Sequence, residues 1–127
     1  RRITFEYSLV AGVNDGDEDA SQLAGRIKGM IKENLKTGIS RKEIARELNL
    51  NPDYVNRIFK KETGMTVKEH AIKKRMKQAE HLLKHSDLPV SGIAAEVGYD
   101  NFSHFIRMFR KETGYTPKQY KKRFREV

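Results

Sequence analysis

The chain contains no cysteine. That absence removes disulfides, thiolate metal sites, cysteine nucleophiles and iron–sulfur clusters from consideration, and it is compatible with a reducing cytosol. No apolar run approaches the ~18 residues that a membrane-spanning helix requires. The basic start is followed by Glu6 and an acidic turn rather than by the apolar stretch of a secretory signal, so no leader is expected. Catalytic constellations are missing too. There is no nucleophile–base–orienter set, no glycine-rich phosphate cradle and no carboxylate pair in an apolar setting. The chain is therefore not expected to be an enzyme or to hold a cofactor. His81 and His85 stand four apart on one helix face, the spacing of a metal pair, but no third ligand accompanies them and they read as surface histidines.

What the chain does have is positive charge. Its 127 residues carry a formal net charge of +9, enough length for one domain or for one compact domain with an appendage. The charge is unevenly placed. Residues 1–29 hold four basic and five acidic residues, while the rest holds 22 basic and 12 acidic. A surplus of that size in a small domain is the electrostatic footprint of a nucleic-acid binder.

The chain also repeats itself. Arg57 to Thr66 reads RIFKKETGMT and Arg107 to Thr116 reads RMFRKETGYT, an offset of fifty. Upstream of each lies a second matching piece, Ile44–Leu48 (IAREL) and Ile93–Val97 (IAAEV), offset by forty-nine. One supersecondary unit is used twice, with a one-residue difference in its turn.

Taken in order, residues 3–9 (ITFEYSL) alternate with period two and read as a strand. GVNDG is a turn, and a helix is expected from about Asp17 to Leu35, with Leu23, Ile27, Met30 or Ile31, and Leu35 on its inner face. Ser40-Arg41-Lys42-Glu43 is a capping box that opens a short helix through Leu48. Asn49-Leu50-Asn51 makes a three-residue turn, after which Asn51 caps a helix with Pro52 at its first position and Gly64 as its stop. Thr66-Val67-Lys68-Glu69 is a second capping box, opening a long helix to about His85. The second unit then follows, as helices over about 91–97 and 101–113 with Gly114 as stop. Thr116-Pro117-Lys118-Gln119 caps a last short helix. The expected fold class is all-α: two helix-turn-helix units (40–64 and 90–114) joined by a linking helix (67–85). The domain spans 17–127, and residues 1–16 form a strand-and-turn appendage.

In a helix-turn-helix the first helix braces the second, and the second enters the major groove. In unit one Val55, Ile58 and Phe59 form the expected buried stripe, which leaves Asp53, Asn56, Arg57 and Lys60 outward. In unit two Phe102, Phe105 and Phe109 form the stripe, which leaves Ser103, His104, Arg107 and Arg110 outward. The base-reading candidates are Asp53, Asn56, Arg57, Ser103, His104 and Arg107. Arg is bidentate to guanine, Asn is bidentate to adenine, and Asp accepts from cytosine. Ser40, Lys60, Lys61, Asn101, Arg110 and Lys111 are candidates for phosphate contacts, as are Lys73, Lys74 and the KKRFR tail. A nineteen-residue spacer at ~1.5 Å per residue is about 28 Å long. With the width of the packed units added, the two second helices come to ~34 Å apart, one turn of B-DNA.

Residues from about 27 to 125 resemble the AraC/XylS family of bacterial transcription regulators. The residues that carry the resemblance are IAREL, the turn and YVNRIFKKETG, then the linking helix, then IAAEVGYDNFSHFIRMFRKETGYTPKQYKKRF. It implies binding of an asymmetric double-stranded DNA site, activation of transcription through contact with RNA polymerase, a monomer or weak dimer, and a place in the cytoplasm on the nucleoid. The family's base-reading positions fall on the same six residues. Unit one departs where it has Val67 and His70 against Pro117 and Tyr120. The opening 29 residues resemble instead a piece of radical-SAM RNA methyltransferases, through EYSLVAGVND and the following LAGRIK, which implies a fusion or chimera, the other reading being a simple strand-and-turn lead into the first helix. Methyl transfer fails on chemistry, since no cysteine can hold a cluster. The competing reading for the whole chain is a nonspecific, architectural DNA binder, which keeps the salt dependence and loses the sequence preference.

Overall fold

The computed structural model describes residues 19–125. The strand expected over 3–9 and its turn lie outside them. The described residues form seven helices: α1 (Ala20–Glu33), α2 (Arg41–Leu48), α3 (Pro52–Thr63), α4 (Val67–His85), α5 (Val90–Glu96), α6 (Phe102–Thr113) and α7 (Pro117–Phe124). The all-α expectation holds, and no strand occurs among the described residues.

Local chemistry sets most of the boundaries. Ser40 Oγ accepts the Glu43 N–H while the Glu43 carboxylate accepts the Ser40 N–H, and Thr66 with Glu69 repeats the arrangement at α4. Thr116 and Gln119 do the same at α7. The two cap bonds hold the Glu43 and Glu69 carboxyls below the ordinary carboxylate range. Helix α1 begins three residues later than expected: Asp19 is its cap, accepting from the Gln22 N–H at 2.8 Å. It ends at Glu33 rather than Leu35, with Asn34 as its cap. Helix α5 begins at Val90, one residue early, after a Pro89 cap that makes no side-chain bond.

The repeated KETG closes α3 and α6 in the same way. Thr63 Oγ1 donates to the Phe59 carbonyl at 2.7 Å, and Thr113 Oγ1 to the Phe109 carbonyl at 2.8 Å. Gly64 and Gly114 then turn left-handed at φ 81° and 86°.

The apolar residues form two clusters with no shared member. One packs α1, α2 and α3 through Leu23, Ile27, Ile31, Ile44, Val55 and Phe59, and includes Val67 at the head of α4. The other packs Met76, Ala79 and Leu83 of α4 against Ile93, Val97, Phe105, Phe109 and Tyr120. The linking helix thus belongs to unit one at its start and to unit two from its middle onward. Phe102 corrects the expected stripe of unit two. It is 43% exposed, whereas Phe105 and Phe109 are fully buried. It shares their side of the helix but sits at its first residue, about 10 Å along the axis from Phe109, where α6 projects beyond the core.

Candidate nucleic-acid interface

Each unit presents one face of its second helix to solvent. On α3, Asp53, Arg57, Lys60 and Lys61 are exposed; on α6, Ser103, His104, Arg107, Arg110 and Lys111 are exposed. The buried residues behind them are Val55 and Phe59 in one unit and Phe105 and Phe109 in the other. Ile58 lies half-buried against the first cluster. Both helices carry basic residues in their last turn, Lys60 and Lys61 or Arg110 and Lys111.

Several of these groups already have partners. Asp53 Oδ1 accepts from Arg41 Nη1 at 3.1 Å, tying the start of α3 to α2. The Arg57 guanidinium lies 5.4 Å from the centroid of the Tyr54 ring, one turn back along the helix. His104 meets the edge of Tyr99 at 5.4 Å. Asn101 is the α6 cap, accepting from the His104 N–H at 2.9 Å, and Ser40 is the α2 cap. At such helix starts the leading N–H groups point outward, the arrangement that receives a phosphate oxygen.

Asn56 is set apart from the other base-reading candidates. It is half-buried, and its Oδ1 accepts the Val67 N–H at 3.0 Å, joining α3 to the first residue of α4. Bidentate pairing with adenine needs both amide atoms and would break that bond. Unit two has Ile106 and Pro117 at the matching positions, an apolar side chain and a residue with no N–H. The swap is complementary. It was visible in the alignment of the two repeats, but only the fold shows that the two positions touch.

Two aromatic residues are exposed beside these faces, Tyr54, to which the sequence pattern gives no place, and Phe102, which it places in the buried stripe. Tyr54, 37% exposed, and Phe102 stand in the first turns of α3 and α6 beside the basic faces. His81 and His85 are exposed on α4 with ring centroids 4.7 Å apart, and the described residues hold no group of three metal-ligating side chains around them or elsewhere. No helix among the described residues is long and apolar enough to cross a membrane.

Two helix-turn-helix units in series, one linking helix between them and a basic face on each second helix define a tandem helix-turn-helix protein. The family model described as a helix-turn-helix domain matches residues 44–123. With that match over most of its length, the chain belongs to the AraC/XylS family of helix-turn-helix domains. It is 30% identical to the HTH-type transcriptional activator RhaS of Escherichia fergusonii, over 94% of this chain and 44% of that protein. It is 33% identical to the uncharacterized HTH-type transcriptional regulator YtdP of Bacillus subtilis, over 87% of this chain and 14% of that protein. Among solved structures, the C-terminal domain of the response regulator AraT from Geobacillus stearothermophilus superposes with a TM-score of 0.81 at 30% identity, covering 87% of this chain and 92% of that one. The chain thus spans less than half the length of either curated relative.

Proposed function

We propose that this chain binds double-stranded DNA sequence-specifically as the DNA-binding part of a bacterial transcription regulator, with α3 and α6 in consecutive major-groove segments. The observation that carries the reading is the pairing of two twelve-residue second helices, each exposing an arginine at the matching place, Arg57 and Arg107. Arg57, Ser103, His104 and Arg107 read base edges in this arrangement, and Asp53 joins them when it leaves Arg41. Asn56 positions α3 against α4. The helix starts at Ser40 and Asn101, together with Lys60, Lys61, Arg110 and Lys111, hold phosphates and fix the register of each head.

Activation through contact with RNA polymerase is the finer part of the proposal, supported by the activator name of RhaS. So are a monomeric or weakly dimeric state, a cytoplasmic, nucleoid-associated location and the absence of catalysis. The domain is taken as residues 17–127. Residues 1–29, with their likeness to radical-SAM RNA methyltransferases, are read as a fused segment.

The test is selection of binding sites from random duplex DNA with the wild-type chain and with Arg107→Ala. The expected result is a bipartite site with halves about one helical turn apart. The variant should lose preference in one half only, by ~1–3 kcal/mol at the base it reads. Binding that falls steeply with salt but yields no consensus would establish the architectural reading instead.

A further inference from the structure

Arg75 lies at the boundary between the two apolar clusters. Ala71, one turn before it on α4, packs with the first cluster, and Met76, one residue after it, belongs to the second. The clusters share no residue, so no continuous apolar core sets the angle between the units. Arg75 reaches across that boundary. Its Nε donates to the Leu35 carbonyl at 2.9 Å, in the segment that follows α1. Its guanidinium carbon is 5.4 Å from the centroid of the Tyr99 ring, in the turn of unit two.

The backbone around it is shaped for close approach. Gly98 has φ +97°, and a Cβ there would stand 2.5 Å from the Lys36 carbonyl oxygen, 2.9 Å from that of Leu35 and 2.9 Å from Arg75 Nη2. The turn of the second unit is therefore seated directly on the backbone of the segment that follows α1, where Leu35 packs against the first cluster. A Cβ at Gly38 would lie 3.1 Å from the same Nη2. Lys36 and Glu96 add an exposed ion pair at 3.6 Å, which contributes little by itself. The matching turn of unit one carries Asn49 where unit two has Gly98, so only unit two has the close seat.

We infer that Arg75 is a positioning residue that fixes the register between the two second helices, and so sets the half-site spacing the protein accepts. The inference rests on the two-headed DNA-binding reading. A linking helix fixes one axis, and the guanidinium, held between Leu35 and Tyr99, fixes rotation about it. One base pair inserted between the half-sites rotates them by about 35° and separates them by about 3.4 Å. A clamped pair of heads cannot follow that change, and a loosened pair can.

The experiment measures affinity of the full chain for the selected bipartite duplex, for the same duplex with one base pair inserted or removed, and for each half-site alone. Wild type is expected to lose roughly 100-fold on either spacing change, within the range by which linked heads gain over single ones. Arg75→Met keeps the stem and removes the guanidinium. It is expected to lose about tenfold at the native spacing, to show a spacing penalty of less than about tenfold, and to bind single half-sites as wild type does. Arg75→Lys, which keeps the charge but not the planar fork, is the variant to use if Met does not fold, and the same flattening is expected. A variant that is folded and retains the full spacing penalty overturns the inference. So does an equal loss on all probes, single half-sites included, which would mark Arg75 as a stability residue. Wild-type indifference to spacing would overturn the two-headed reading itself, and the clamp with it.

Discussion

Asn56 and Val67 form a bonded pair, and their counterparts in the second unit are Ile106 and Pro117. Exchanging one pair for the other is a direct test of why unit one differs. Asn56→Ile alone leaves the Val67 N–H, an end-of-helix donor with no intrahelical acceptor, without its partner in a half-buried place. The expected cost is about 1–3 kcal/mol. Val67→Pro alone removes the donor and orphans only the Asn56 carbonyl, which is near enough to the surface to take water. Proline at the first helical position also suits the backbone: Thr66 sits at φ −72°, ψ 166°, close to the φ −70°, ψ 159° of Thr116 before Pro117. That change is expected to cost no more than about 1 kcal/mol, since proline's restriction of the unfolded chain offsets part of the loss.

The double variant Asn56→Ile/Val67→Pro removes donor and acceptor together and reproduces the arrangement of unit two. It is expected to be more stable than Asn56→Ile, with a coupling energy of roughly 1.5 kcal/mol, in the range seen for bonded neighbours. Urea unfolding of the four proteins gives the cycle. Additivity within about 0.5 kcal/mol would refute the reasoning. The same double variant separates positioning from base reading. If Asn56 only positions α3, the folded double variant keeps the wild-type base preference; a preference lost at one base of one half-site would return Asn56 to the reading face.

His70 has neither ring nitrogen bonded, is buried against Phe59 edge to face at 5.2 Å, and occupies the place that Tyr120 takes against Phe109 at 5.4 Å. Burial first, then Lys74 and Lys28, hold its pKa below the ordinary value, so the folded state keeps the ring neutral and the unfolded chain takes up the proton first. Its stability contribution is complete above about pH 6.5 and is lost as pH falls through the lowered folded value. His70→Tyr is expected to flatten thermal stability between pH 5 and 7.5, and an unchanged pH dependence would show that another group is responsible. The glycines offer a second contrast. A Cβ at Gly114 meets nothing within 4 Å, so Gly114→Ala should cost only the left-handed strain of about 1–2 kcal/mol. Gly98→Ala adds contacts at 2.5 and 2.9 Å with backbone oxygens and should cost clearly more by denaturant unfolding; equal costs would mean that the seat between the units gives way freely.

The parts of this fold that were legible in the sequence are those whose causes are local. Helix α4 runs from Val67 to His85 as expected, because Thr66 and Glu69 cap it and Ser86 to Pro89 break it. The stop at Gly64 and the cap at Asn51 are set within four residues of themselves. The start of α1 was less determinate. Asp17, Glu18 and Asp19 form an acidic run in which any Asp can serve as cap, and the choice of Asp19 is made by the first apolar residue packed behind it, Leu23. Phe102 was misread because periodicity gives the side of a helix and says nothing of how far along it the core extends. Arg75 was invisible for a different reason: its acceptor lies forty residues away.

Residue by residue, the repeat divides into positions that maintain shape and positions that differ between the two units. The letters most faithfully repeated, Phe59/Phe109 and Glu-Thr-Gly, are the buried anchor and the helix stop, so they maintain shape. The letters that differ are of two kinds. Some are matched inside the protein, as the bonded Asn56 and Val67 are against Ile106 and Pro117. Others show no such matched exchange: Asp53 against Ser103, Tyr54 against His104, and Pro52 against Phe102, all in the first turn of a second helix. Only Arg57 and Arg107 are both exposed and shared on that turn and the next. Two heads with a common arginine and different first turns suit an asymmetric site, in which both halves contain a guanine read alike and neighbouring bases read differently.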